Sequence, residues 1–189
     1  VASRELEIVL TGRDAGIEND RVPMCGVPHH SVNSYIERLT NKGYKVAIVE
    51  QLEEPGGKKI VQRDVIKIVT PGTNIDENYL DDKNNNYIGA IEKYEMGYLL
   101  TYIDLSTGDA SIISFPLHIE LVYNEIQKLS IKEIVVNKNL DKNIQVTLSK
   151  LYGILVSICD DYNVDNYLNS LFVNIKKEHL IGCKRLISY

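Results

Sequence analysis

The sequence predicts a two-domain α/β chain, and three observations predict it. Along the first third, apolar residues recur at helical and at strand spacing in alternation. From Asn74 to Asn86 the composition shifts to Asn, Asp and Glu, ending in Asn84-Asn85-Asn86, as a linker does. Beyond it, three apolar runs follow with no room for helices between them, before helix and strand alternate again. We therefore expect a first domain over 1–75, a linker over 76–86 and a second domain over 87–189. The 189 residues suffice for two small domains. A hydrophobic share of 44% and a charged share of 25% suit a chain that buries a core.

The first domain opens on Val1-Ala2-Ser3-Arg4-Glu5-Leu6, which reads as helix with no capping residue before it. This leads us to expect that the natural chain extends upstream. Ile8-Val9-Leu10-Thr11 is short and apolar, like a buried strand, and Gly12 to Asp20 reads as a loop. Pro23-Met24-Cys25-Gly26-Val27-Pro28 is turn-rich. Ser31 begins a helix in which Val32, Tyr35, Ile36 and Leu39 form one apolar stripe, with Gly43 as its C-terminal cap. Val46-Ala47-Ile48-Val49 is apolar on both faces, as central strands of α/β sheets are. Glu53 to Lys59 reads as an exposed loop. Val65–Val69 is another strand, ended by Pro71-Gly72.

In the second domain, Tyr87–Ile91, Tyr98–Leu105 and Ala110–Phe115 are strands of an antiparallel meander, with turns at Met96-Gly97 and Ser106-Thr107-Gly108. Ile119, Val122, Ile126 and Leu129 mark a helix, and Ile134-Val135-Val136 a strand. Ile144, Leu148 and Leu151 mark a further helix and Ile154–Ile158 a strand. Two helices end the chain, around Val164–Phe172 and Leu180–Tyr189. Three antiparallel strands followed by alternating helix and strand is the order of a ribonuclease-H-like domain.

Charge narrows the function classes. Residues 1–73 carry ten Lys/Arg against ten Asp/Glu, so any DNA contact there must come from a local patch. The remainder carries eleven basic and sixteen acidic residues, a net of −5, which suits a protein partner better than DNA phosphates. No apolar run is long enough to span a bilayer and no signal peptide opens the sequence. Cys25, Cys159 and Cys183 are far apart and form no C-x-x-C pair, so neither a disulfide framework nor a zinc site is suggested. The expectation is a reduced, cytoplasmic protein with no membrane partner.

Candidate chemistry is sparse. Cys25, His29 and His30 are close but make an incomplete zinc set. The alternative puts both histidines at a helix start, serving free backbone N–H groups. Gly56-Gly57-Lys58-Lys59 lacks the G-x-x-x-x-G-K-[ST] spacing of a nucleotide loop, so no ATP site is expected in this chain. A nuclease of ribonuclease-H-like fold needs converging carboxylates. Asp104 is the obvious first ligand, with Glu120 or Glu125 and then Asp160. Yet Asp104-Leu105-Ser106-Thr107-Gly108 also reads as a turn capped by its own Asp, and the first strand, Tyr87–Ile91, carries no carboxylate. Arg63 and Lys67, four apart, are expected on one strand face; with Lys58 and Lys59 they form either a phosphate-contacting edge or a solvated face balanced by Glu53, Glu54 and Asp64. No catalytic residue and no metal ligand is assigned.

Four stretches, in order and at matching spacing, carry a family resemblance. Val22-Pro23-Met24-Cys25-Gly26-Val27-Pro28-His29-His30-Ser31 is similar to P-M-x-G-[IV]-P-x-H-A of the MutS mismatch-repair family. Lys45-Val46-Ala47-Ile48-Val49-Glu50-Gln51-Leu52-Glu53-Glu54-Pro55 resembles its V-A-I-x-E-Q-x-x-x-P. Arg63-Asp64-Val65-Ile66-Lys67-Ile68-Val69-Thr70-Pro71-Gly72-Thr73 resembles R-x-V-x-[RK]-I-V-T-P-G-T, and Asp104–Gly108 resembles D-[LI]-S-[ST]-G. His29 stands where Tyr is common, and the loop after Pro55 is short.

The resemblance implies a mixed α/β mismatch-binding domain followed by a ribonuclease-H-like connector domain. It implies recognition of mispaired or unpaired bases in double-stranded DNA, signalling to a MutL-type protein, and a homodimeric full-length ATPase using ATP and Mg. It puts Met24 near the minor groove, Arg63 and Lys67 near the DNA backbone, and Lys58 on a neighbouring loop. The family reads mismatches with a phenylalanine from a G-x-[FY]-[FY]-E motif, which precedes the helix that opens this chain. Phe115 and Phe172, the only phenylalanines, both fall in the second domain. A mismatch weakens stacking, so kinking the duplex and wedging an apolar side chain into it costs less there than at a paired step. The alternatives are a metal-dependent nuclease and a MutS relative that binds proteins without reading mismatches.

Overall fold

A computed structural model describes residues 1–14, 21–53, 61–74, 85–165 and 175–189. They divide into two compact units, Val1–Thr70 and Pro71–Tyr189.

The first unit is built from local pieces. Helix α1 (Ala2–Leu6) ends on Glu7 in the left-handed conformation, and the Lys42 ammonium reaches back to the Glu5 carbonyl and carboxylate. Strands β1 (Thr11–Asp14) and β2 (Arg21–Met24) pair antiparallel, with Thr11 opposite Met24 and Asp14 opposite Arg21. The sequence reading of a buried strand at Ile8–Thr11 is therefore displaced. The strand starts at Thr11, and Val9 and Leu10 are exposed. An apolar β-branched run marks extended backbone equally well when it lies on a surface.

A 3-10 turn, His29–Ser31, leads into α2 (Val32–Asn41), whose stripe buries Ile36. Gly43 takes φ +85 and its N–H returns to the Thr40 carbonyl, as a C-terminal cap requires. Strands β3 (Val46–Gln51) and β4 (Arg63–Val69) form an antiparallel hairpin. Among the described residues β3 pairs with β4 alone, so it is a hairpin strand and not the central strand that its apolar run predicts.

The second unit is a five-stranded mixed sheet. Strands β5 (Tyr87–Tyr94), β6 (Gly97–Asp104) and β7 (Ala110–Phe115) form the antiparallel meander. After α3 (Ile119–Lys128), β8 (Glu133–Val136) adds parallel to β5. After α4 (Lys142–Lys150), β9 (Leu155–Ile158) adds parallel to β8. The order β7-β6-β5-β8-β9 puts the meander on one side and the parallel strands on the other. This is the ribonuclease-H-like arrangement expected from the run lengths.

Side chains alternate across the strands. Ile91, Leu100, Ile134 and Val136 face one way and bury with Val122, Ile126, Ile144 and Leu148 of α3 and α4. Ile88, Ala90 and Val135 face the other way, against Leu186 of α5 (Leu180–Ser188). Asp141 caps α4 by accepting from the Asn143 N–H at 2.8 Å. Gly97 is obligatory between β5 and β6, since a Cβ there would lie 1.8 Å from the Phe115 carbonyl oxygen. The expected helix around Val164–Phe172 and most of the 76–86 linker lie outside the described residues.

Candidate nucleic-acid interface

Met24 closes β2 at the open end of its hairpin. Its carbonyl accepts from Thr11 Oγ1 at 3.0 Å, and its side chain is exposed. Opposed residues of an antiparallel pair share a face, and alternate pairs repeat that face. Thr11, Arg13, Val22 and Met24 thus line one side of the hairpin, while Asp14 and Arg21 pair at 3.2 Å on the other. Arg13 is a basic residue that sequence reasoning did not single out. Its place beside Met24 follows from register, which no local pattern discloses.

Arg63 and Lys67 are both exposed on β4, but they do not share a face. The register passes from Val49 opposite Val65 to Ile48 opposite Lys67, so Ile66 is an extra residue on β4. A bulge of this kind breaks the two-residue alternation. Arg63 falls on the side of Val49, Val65 and Ile68, and Lys67 on the side of Val46, Ile48 and Val69. The first of these faces is open, with Val49, Val65 and Ile68 each about half exposed or more (51%, 50% and 58%). Lys58 and Lys59, the other expected phosphate contacts, lie outside the described residues.

The histidines of the zinc alternative stand in the 3-10 turn. The residues at the N-caps of that turn and of α2, Pro28 and Ser31, make no side-chain cap hydrogen bond. Among the described residues no group of three His, Cys, Asp or Glu side chains is placed to hold a metal ion. No helix there is long and apolar enough to cross a membrane.

Three of the nuclease candidates, Asp104, Asp160 and Glu125, have structural partners. Asp104, at the end of β6, is buried. Its Oδ1 accepts from the Ser106 N–H at 2.9 Å and the Ser106 hydroxyl at 2.6 Å, and its Oδ2 from the Asn86 N–H at 3.3 Å. Burial pushes its carboxyl up, but the hydrogen bonds from Ser106, Asn86 and Thr107 outweigh it and hold the pKa below the ordinary value. Asp160 accepts from the Lys138 N–H at 2.9 Å and pairs with its ammonium at 3.3 Å. The backbone bond first, then the Lys138 side chain, lowers its pKa. Glu125 pairs with Lys128 one turn along α3.

The first strand does carry a carboxylate, contrary to the sequence reading. The apolar run stops at Ile91, but ladder pairing continues to Tyr94 and takes in Glu92. Glu92 is buried against the Arg185 guanidinium of α5, and Asn137 Nδ2 donates to its other oxygen at 3.0 Å. Arg185 also donates to the Cys159 carbonyl just past β9. A guanidinium thus fills the space beside the carboxylate on the first strand.

Comparison with known proteins agrees with the two-unit architecture. Residues 1–78 match the family model described as MutS domain I, and residues 86–162 match MutS domain II. The chain is 44% identical over 189 residues to the DNA mismatch repair protein MutS of Clostridium tetani, covering 96% of this chain and 21% of that protein. It is 49% identical over 166 residues to that of Acetivibrio thermocellus, covering 85% and 19%. With that of Clostridium novyi the identity is 40% over 198 residues, covering 100% and 22%. The chain therefore spans about a fifth of the length of the curated relatives it matches. With both domain models matched in order across most of its length, the chain belongs to the MutS family and comprises its domains I and II.

Proposed function

We propose that this chain is the duplex-contacting and signalling part of a DNA mismatch-repair protein. The single observation that carries this reading is the ordered match to MutS domains I and II, continuous with relatives named DNA mismatch repair protein MutS. The first unit meets the duplex through Met24 toward the minor groove and through Arg63, Lys67 and Lys58 toward phosphates. Phosphate contacts position a protein on DNA without reading sequence. In the full-length protein, selectivity for a mispaired step then comes from how little the duplex resists being kinked there.

The second unit signals onward to a MutL-type protein. The acidic balance beyond residue 73 supports a protein partner for this unit and disfavours DNA. ATP hydrolysis with Mg belongs to the full-length protein, which acts as a homodimer in the cytoplasm.

Two measurements test the reading. In the full-length protein, Arg63→Ala and Lys67→Ala should each weaken mismatched-duplex binding and lower the salt slope by about one unit. NMR titration of this chain with the N-terminal domain of a MutL-type protein should shift a contiguous set of second-unit signals. No shift at high partner concentration would overturn the docking role.

A further inference from the structure

Glu133 is the first residue of β8 and its side chain is fully buried. By strand alternation it lies with Val135 on the face that carries α5. A buried carboxyl must have its oxygens satisfied, and those of Glu133 serve three donors. Oε1 accepts from the Ser157 hydroxyl of β9 at 2.5 Å and from the Tyr189 hydroxyl at 2.6 Å. Oε2 accepts from the Gly72 N–H at 3.2 Å. The donors come from three separate parts of the unit: the last strand, the C-terminal cap of α5, and the segment that leads into β5.

That leading segment is seated closely. A Cβ on Gly72 would lie 2.9 Å from Ile88 Cβ and 3.1 Å from Glu133 Cβ, so only glycine brings its N–H this near the carboxyl. Asn86 Nδ2 holds the same residue by its carbonyl, donating to the Gly72 carbonyl at 3.4 Å and to the Asn74 carbonyl at 3.1 Å. Gly72 thus seats the start of this unit against β5 and β8.

We propose that Glu133 is a positioning residue that couples the leading segment Pro71–Asn74 to the end of α5. Both are bound by opposite oxygens of one carboxyl, so rotation of that group moves both contacts together. Loss of the Tyr189 bond leaves Oε1 held by the Ser157 hydroxyl alone, gives the carboxyl more freedom to turn, and thereby loosens Oε2 on Gly72. In a water-excluded site each bond of such a network also strengthens its neighbour.

The test is hydrogen exchange of backbone amides in this chain, read by NMR. Tyr189→Phe removes the hydroxyl and keeps the ring. Leu186→Ala loosens α5 without touching Glu133 and controls for general destabilisation. The readout is the exchange rate of the Gly72 amide divided by that of the Ile91 amide in β5. The ratio should rise by roughly three- to tenfold in Tyr189→Phe, the range that one weakened hydrogen bond allows, and stay near its starting value in Leu186→Ala. An unchanged ratio in Tyr189→Phe, or an equal rise in both variants, would overturn the coupling.

Discussion

Asp104 and Gly72 show how single side chains set the second unit. Asp104 serves the Ser106 turn and the Asn86 amide together, so Asp104→Asn keeps its shape but puts an NH2 group against one of those donors. It should destabilise the chain by about 1–3 kcal/mol, measured by urea unfolding. Because the Asp104 pKa is lowered on folding, its stabilisation is present above the unfolded value and is lost as pH falls. The difference between wild type and Asp104→Asn should therefore be constant above about pH 5 and shrink as pH falls below about 4, the ordinary aspartate range. Gly72→Ala should cost about 1–3 kcal/mol through overpacking against Ile88. The Asp104 turn was legible in sequence, since an Asp bonding two residues onward is a local event and Gly108 takes the positive φ it needs. The Gly72 contact was not, because its partner Glu133 lies 61 residues away.

The elements divide the same way between local and distant causes. Among the described residues, strand and helix positions in the second unit followed from apolar spacing, and the meander from turns too short to hold helices. What spacing could not show was the bulge at Ile66, which turns Lys67 away from Arg63, or the pairing that carries β5 past its apolar run to Glu92. Helix α5 depends on that pairing. Arg185→Met would leave Glu92 buried without its cation and should cost about 3–5 kcal/mol. Replacing both residues, Glu92→Met with Arg185→Met, should cost far less than the sum of the single changes. A double-mutant cycle by urea unfolding measures this, and additive costs would show that the pair is not coupled.

At the scale of the whole molecule, the presence of two domains was legible from the composition shift and the apolar spacing, while the bonds that seat Pro71–Asn74 were not. The second unit begins at Pro71, and we propose that Pro71–Asn74 act as its strap through Glu133 and Asn86. A fragment of residues 71–189 should unfold cooperatively and be more stable than one of residues 87–189 by about 1–3 kcal/mol, the scale of two or three hydrogen bonds. The first unit holds no phenylalanine, has equal numbers of acidic and basic residues through Thr73, and offers exposed Met24, Arg63 and Lys67. Our proposal that this chain meets DNA by phosphate contact, without a mismatch-reading wedge, can be checked by fluorescence anisotropy. This chain would be titrated onto matched and mismatched duplexes at several salt concentrations. Binding should be weak, fall steeply with salt, weaken further in Arg63→Ala, and be the same for both duplexes. A strong preference for the mismatched duplex, or binding indifferent to salt, would contradict it.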